Sequence, residues 1–357
     1  MVGKREHETH PPQAGPAPAG KAAGEVRTLA DIARLAGVST GTVSRALAGK
    51  SLVNVETRER IRAIARQYGF RPNQMASRLR SRRTGVIGVV IPLGHEKRQH
   101  ISDPFFLTLL GHLADELTES GYDLMLSRAI PDGTSDWLER ITGSGMVDGV
   151  IVVGQSDQFD VIERVAASYR PMVVWGHSRP GQTHCVVGTD NEAGGRIAAR
   201  HLIDTGARRL VFLGDTSGIE IAMRFRGAAE EAQAARIPLS HLSAGLAGGD
   251  MEPGIRSVLS EMDMGIDGIV AATDLIAMSA LRTLHEIGRG VPDQVQIIGF
   301  DDLPLAAQTM PPLTTIRQEI AAGAKAMVER LRARIEGEGA NSLVMAPQLV
   351  RRASTRT

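Results

Sequence analysis

The stretch TLADIARLAGVSTGTVSRALAG, residues 28–49, decides how this chain is read. Leu29, Ile32, Ala33 and Ala36 recur at i, i+3, i+4 and i+7, which places them on one face of a helix. Thr28 followed by Asp31 is a T-x-x-D start signal, a side-chain cap for the first free backbone N–H groups. Gly37 ends this helix, and Ser39 opens a second that turns Val43, Ala46 and Leu47 inward. Two short helices joined by a tight glycine turn predict a helix-turn-helix, whose second helix can lie in the major groove of DNA.

A third helix is expected in NVETRERIRAIARQYGF, residues 54–70, capped by Asn54, with Glu56 at its positive end and Gly69 as its stop. Ile61, Ile64, Ala65 and Tyr68 form its expected buried stripe. The following RPNQMASRLRSRRTG reads as a basic linker with a turn or two of helix. Charge supports a nucleic-acid-binding head. Residues 28–84 carry 12 Lys/Arg against 3 Asp/Glu, a net +9, on a chain whose formal charge is only +1. Residues 1–27 contribute +1, so residues 85–357 sum to −9. A basic head on an acidic body is the electrostatic footprint of a protein that docks on phosphates by one end.

Beyond residue 85 the pattern changes. VIGVVIP (86–92), YDLMLS (122–127), GVIVVG (149–154) and PMVVWG (171–176) read as buried strands, and RLVFLG (209–214), GIVAAT (268–273) and VQIIGFD (295–301) as a second set. Such runs alternating with amphipathic helices predict two α/β lobes of parallel sheet, with a ligand cleft at the carboxyl ends of the strands. Residues 1–27, rich in Pro, Ala and Gly, are expected to be a disordered tail. They lack the apolar core of a signal peptide. The single cysteine, Cys185, excludes an intrachain disulfide and fits a reducing cytoplasm, and no run of about 18 apolar residues is present. The expected location is cytoplasmic, with no membrane partner.

The pieces IARLAGVSTGTVSRAL, VNVETRERI, YGFRPNQMASRLR, DPFF, GTDNEAGG, ATDLIAMSA and VPDQVQIIGFDD occur in one order along the chain. In that order they resemble the lactose-repressor-like (LacI/GalR) family of bacterial transcription regulators, from about Thr28 to Arg352. The resemblance implies an α/β protein: an N-terminal helix-turn-helix domain plus a two-lobed core of parallel sheets like type I periplasmic binding proteins. The expected divisions are a tail (1–27), a DNA-binding domain (28–71), a hinge (72–84) and an effector-binding core (85–357). Within the core, one lobe is expected at about 85–189 and 318–342, the other at about 190–317 and 343–357.

Residue by residue, the resemblance puts Thr40, Gly41 and Arg45 at base edges, with Ser39, Thr42 and Ser44 suited to phosphates. Arginine is the side chain best shaped for bidentate contact with guanine, whereas Gly41 has nothing to read with. In the hinge, Asn73, Ala76 and Leu79 share one face, and Leu79 is the implied wedge into a minor-groove base step. Arg78, Arg80, Arg82 and Arg83 would neutralise phosphates. In the cleft, Phe105 and Phe106 offer aromatic faces, Arg224 a fork for hydroxyls or carboxylate, and Asp301 an acceptor for two hydroxyls. Trp175, Asp190, Thr273 and Asp274 are further expected contacts, although Asp190 and Asp274 equally suit helix caps.

The implied protein is a regulator, most simply a repressor. It would bind a palindromic double-stranded operator as a homodimer, under control of a small molecule, with a carbohydrate favoured. No leucine heptads of a tetramer-forming coiled coil are seen. A solute-binding protein would explain the lobes but not the basic head. An α/β enzyme would need a catalytic constellation, and none is found. Gly49-Lys50-Ser51 lacks the P-loop's first glycine, the position being Ser44, and His95-Glu96 is followed by Gln99 where a zinc site needs histidine. No cofactor or metal is expected.

Overall fold

The computed structural model describes residues 28–47, 53–70, 83–93, 101–129, 136–155, 157–243, 251–261 and 265–357. The chain divides after Arg82 into two compact units.

Among the described residues the first unit has three helices, α1 (Leu29–Ala36), α2 (Thr40–Leu47) and α3 (Val55–Gln67). Thr28 and Asp31 cap α1 reciprocally: the Asp31 N–H donates to Thr28 Oγ1 at 3.2 Å and the Thr28 N–H to Asp31 Oδ2 at 3.1 Å. Gly37, at φ 64° and ψ 34°, takes the left-handed conformation that turns the chain into α2, which a side chain would oppose. Ile32, Ala33, Ala36, Val43, Ala46, Val53, Ile61 and Ala65 form the core, half of them alanines, which lets short helices approach closely. Tyr68 corrects the expected stripe of α3. It lies past the last turn and is 46% exposed, while Phe70 folds back, its N–H on the Ala65 carbonyl, and packs against the core in its place.

The second unit holds two six-stranded sheets. The first contains β1 (Val86–Pro92), β2 (Asp123–Ala129), β3 (Gly149–Val153), β4 (Met172–Trp175), β5 (Cys185–Thr189) and β11 (Leu343–Met345), in the order 2-1-3-4-5-11 and all parallel. The second contains β6 (Leu210–Leu213), β7 (Leu239–Leu242), β8 (Gly268–Ala271), β9 (Gln296–Asp301), β10 (Thr314–Arg317) and β12 (Gln348–Val350), in the order 7-6-8-9-10-12. Only β12 runs antiparallel to its neighbour. Central strands are buried along their whole length, as their unbroken Val/Ile runs require.

Among the described residues eight helices cover the sheets: α4 (Pro104–Glu119), α5 (Trp137–Thr142), α6 (Phe159–Ala166), α7 (Asn191–Asp204), α8 (Ile219–Ala235), α9 (Met251–Glu261), α10 (Asp274–Glu286) and α11 (Ile320–Ile335). The chain passes between the sheets three times, at Asp190, at Gln318–Glu319 and at Ala346–Pro347. Ile320, Ala324, Met327 and Leu331 of α11 are buried in the first lobe. The third passage, expected near residue 343, falls after Met345, because Leu343 still pairs with Val187 in the first sheet.

Candidate ligand pocket and nucleic-acid interface

A pocket of about 760 Å³, counting its open mouth, lies between the lobes at the carboxyl ends of their strands. The chain holds only seven Phe, two Trp and three Tyr, yet Phe105, Phe106 and Trp175 all line this pocket. Ring centroids are 6.0 Å apart for Phe105–Trp175 and 5.8 Å for Phe105–Phe106, both tilted rather than stacked. Local sequence aims them. Asp103 caps α4 by accepting from the Phe105 N–H at 2.9 Å, Pro104 fits the first turn, and the two rings follow. Phe106 also packs into the first-lobe core and is 8% exposed, whereas Phe105 is half-buried.

Most of the polar wall comes from the second lobe. Arg224, on α8 and 7% exposed, lies with its guanidinium 3.7 Å over the Phe300 ring. Its Nε donates to Asn191 Oδ1 at 2.8 Å and its Nη1 to the Ala272 carbonyl at 2.6 Å, with Asp301 Oδ1 3.8 Å away. Asp301 ends β9 at φ 125° and Asp302 follows at 58°, two adjacent non-glycine residues in a conformation that costs free energy. The surroundings hold them there: Gln318 Nε2 donates to Asp301 Oδ1 at 2.7 Å, and Arg317 and Arg352 pair with Asp302 at 2.7 and 2.6 Å. Burial pushes the Asp301 carboxyl up to about 7, against the opposing pull of Arg224 and Gln318. Burial also lowers Arg224.

Thr273, the N-cap of α10, lines the pocket. Two of the expected contacts do not. Asp274 is fully buried, its carboxylate accepting from the Leu303 N–H at 2.8 Å and the Thr315 hydroxyl at 2.5 Å; it braces β10 rather than facing the pocket. Asp190 caps α7 through the Ala193 N–H at 2.9 Å, at the first passage between lobes, and is not among the lining residues.

On the first unit, Thr40, Gly41 and Arg45 form an exposed face of α2, with Ser44 and Thr42 half-buried beside it. Ser39 accepts from the Thr42 N–H at 3.2 Å, and the two hydroxyls lie 2.9 Å apart, so both serve the helix start. Arg45 Nη2 lies 3.9 Å from where a β-carbon on Gly41 would stand: the bare helix surface at Gly41 is where the guanidinium lies. Asn73, Ala76, Leu79 and Arg80 lie outside the described residues.

Comparison with known proteins decides the family. Residues 28–73 match the family described as bacterial regulatory proteins, lacI family, and residues 199–355 the periplasmic binding protein-like domain. The regulator MalR of Streptomyces coelicolor is 32% identical over 343 residues, 92% of this chain and 96% of that protein. The ribose operon repressor of Halalkalibacterium halodurans is 30% identical over 302 residues, 82% and 86% of the two chains. The chain belongs to the LacI family. A solved complex of the regulator CelR with cellobiose is 28% identical, with a TM-score of 0.64 over 92% of this chain and 99% of that one.

This LacI-family chain is therefore a DNA-binding transcription regulator and not an enzyme. Among the described residues no helix is long and apolar enough to cross a membrane, and no three His, Cys, Asp or Glu side chains are grouped to hold a metal. Three polar lining residues escaped the sequence reading: Asp103, Glu220 and Gln318. Asp103 was visible in DPFF as a helix start. Glu220 sits in the first turn of α8. Gln318 follows β10, a strand whose TTIR sequence carries none of the aliphatic run that marked the others.

Proposed function

We propose that this LacI-family regulator is a cytoplasmic repressor that binds a near-palindromic operator as a homodimer, and that a sugar in the inter-lobe pocket controls that binding. The observation that carries the effector half is the pocket itself, where three of the chain's few aromatic rings face a buried Arg224–Asp301 pair. Aromatic faces suit the apolar side of a sugar ring, and the hydrogen-bonding Arg224 and Asp301 suit its hydroxyls. The likeness to CelR in complex with cellobiose and to a ribose operon repressor supports the same reading.

On the DNA side, Arg45 and Thr40 read base edges and Ser39, Thr42 and Ser44 meet phosphates, with Gly41 giving Arg45 room. Asn73, Ala76, Leu79 and Arg80 form the hinge that enters the minor groove. A single eight-residue recognition helix contacts few base pairs, so two heads on a two-fold operator supply the necessary affinity. The ligand contacts both lobes and shifts the protein toward whichever lobe arrangement binds it better. Thermal denaturation of the purified protein against monosaccharides, disaccharides, purines and sugar phosphates tests the sugar. A binding sugar at 100-fold excess over Kd adds about 2.7 kcal/mol. The same compound is then expected to change retardation of operator DNA in a gel. Silence for every sugar alongside stabilisation by a purine would overturn the carbohydrate reading.

A further inference from the structure

The pocket is lined from both lobes, and close beside it one side chain crosses from the second lobe into the first. Leu303 follows the end of β9 by two residues, yet it is 1% exposed and sits in the first-lobe core with Leu93, Phe106 and Ile320. Among the described residues it is the only second-lobe side chain in that cluster, and it has no place in the second-lobe core. A leucine buried against a neighbouring lobe stays out of water only while the two lobes keep that contact, so the contact resists their separation.

The backbone makes this knob an extension of the pocket's polar wall. Asp301 lines the pocket, Asp302 follows and Leu303 comes next. Both aspartates hold positive φ, 125° and 58°. Arg317 and Arg352 grip the Asp302 carboxylate, and the Leu303 N–H donates to Asp274 Oδ2 at 2.8 Å. Beyond Leu303 the chain enters a short 3-10 helix (Pro304–Gln308), with the Ala306 N–H donating to the Leu303 carbonyl at 2.8 Å. Held on both sides, these residues form a stiff elbow, so a displacement of Asp301 is passed on to Leu303. At its far end the knob meets the same core as Phe106, which also lines the pocket. β1, the first element of the second unit, gives Ile87, Val89 and Ile91 to that core.

We infer that Leu303 is a positioning residue that carries the effector response between the lobes. It is the knob through which the Asp301 strand end moves the first lobe, to which the DNA-binding head is joined in sequence. The inference rests on control of operator binding through this pocket, as proposed above. Coupling of two sites requires an element whose arrangement both of them bias, and Leu303 joins the pocket's carboxylate to the core beneath its aromatic wall.

Leu117 supplies the control. It is equally enclosed, 1% exposed in the same core, but lies near the far end of α4, about 20 Å along the helix from Pro104. Leu303→Ala and Leu117→Ala remove the same atoms from one core and are expected to lose similar stability, which urea unfolding checks. The binding readouts use full-length protein, an operator selected from random duplexes by the wild type, and glucose, ribose and cellobiose as probes. In the wild type a binding sugar should change operator affinity, in either direction, by about 5–150-fold. Leu303→Ala should cut that change to about threefold or less, whereas Leu117→Ala keeps it and Leu303→Met, close in volume, restores most of it. A full response in Leu303→Ala, or an equal loss in Leu117→Ala, would overturn the inference and leave the sugar reading standing. Amide exchange without sugar is an independent arm. Leu303→Ala should quicken exchange at residues 105–109 and 314–318 together, whereas Leu117→Ala quickens the first lobe alone. Quickening confined to one lobe in Leu303→Ala would overturn the inference. If none of the sugars binds the wild type, the sugar reading fails, and the exchange pattern still decides whether Leu303 joins the lobes.

Discussion

Arg224 and Asp301 stand 3.8 Å apart, and each is gripped by an amide from a different passage between the lobes: Asn191 accepts from Arg224, and Gln318 donates to Asp301. Asn191 lies one residue past the first passage, and Gln318 lies within the second. A ligand that drew the guanidinium or the carboxylate toward itself would pull on both connections. These hydrogen bonds connect the polar wall of the pocket to two of the passages between the lobes.

The raised Asp301 carboxyl gives stability a direction with pH. Its buried folded form holds a proton that the unfolded chain releases above its ordinary value of 3.8, so this contribution is full below that value. It is lost progressively as pH rises toward and through about 7. Asp301→Asn mimics the protonated form and keeps an acceptor for Gln318. Thermal melts are expected to show the variant gaining on the wild type by a few degrees between pH 5 and pH 8. Parallel curves would show that Asp301 is not held protonated.

The two phenylalanines of DPFF should separate by role. Phe106, nearly enclosed in the first-lobe core, is expected to cost about 3–5 kcal/mol of stability on truncation to alanine. Phe105, half-buried, should cost clearly less while weakening effector binding by tenfold or more, about 1.4 kcal/mol. Urea unfolding and ligand titration on the two variants make the comparison. Equal losses of stability would contradict it.

Helices α7 and α8 touch backbone to backbone. A β-carbon on Gly195 would stand 1.9 Å from the Arg224 carbonyl oxygen, and one on Gly227 1.9 Å from that of Glu192. No side-chain rotation relieves a clash with backbone, so Gly195→Ala and Gly227→Ala should each destabilise by about 3 kcal/mol or more. Gly195→Ala should also displace Arg224 and blunt the effector response. A variant with wild-type melting temperature would refute the close contact.

Arg45 is exposed on α2, so replacing it should leave stability within about 0.5 kcal/mol. Arg45→Ala is expected to weaken operator binding by about 1–3 kcal/mol and to relax discrimination at one base pair of each half-site. Gel retardation on the operator and on single-base variants reads both effects. Uniform weakening across sequences would reassign Arg45 to a phosphate.

Local patterns made much of the architecture legible. The Thr28–Asp31 cap, the Gly37 turn and the apolar spacing of α1 and α2 depend on neighbours within four residues, and all are present. Most central strands announced themselves because burial on both faces demands unbroken aliphatic runs; β5, whose CVVGT carries only two aliphatic residues, was not among the strands read. β10 did not announce itself either, since Thr314 and Thr315 are tolerated in the interior through hydroxyl bonds to Thr355, the Arg352 N–H and Asp274, about forty residues distant. The marginal strands β7, β11 and β12 shared that difficulty: β7 is exposed at Ser240 and His241, and β11 and β12 are three residues each.

By itself the sequence determined the helical head, the two α/β lobes and the placement of basic charge; of the cleft residues its family resemblance implied, Phe105, Phe106, Trp175, Arg224, Thr273 and Asp301 line the pocket. Tertiary structure alone decided which acids face it. Asp103, Asp190 and Asp274 each stand at the start of a helix, and their local chemistry is nearly interchangeable. Asp103 reaches the pocket, Asp190 caps a passage between lobes, and Asp274 is sealed beneath β10. Capping depends on the next two or three residues, whereas exposure to the pocket depends on how two sheets, joined by three distant segments, are set against each other.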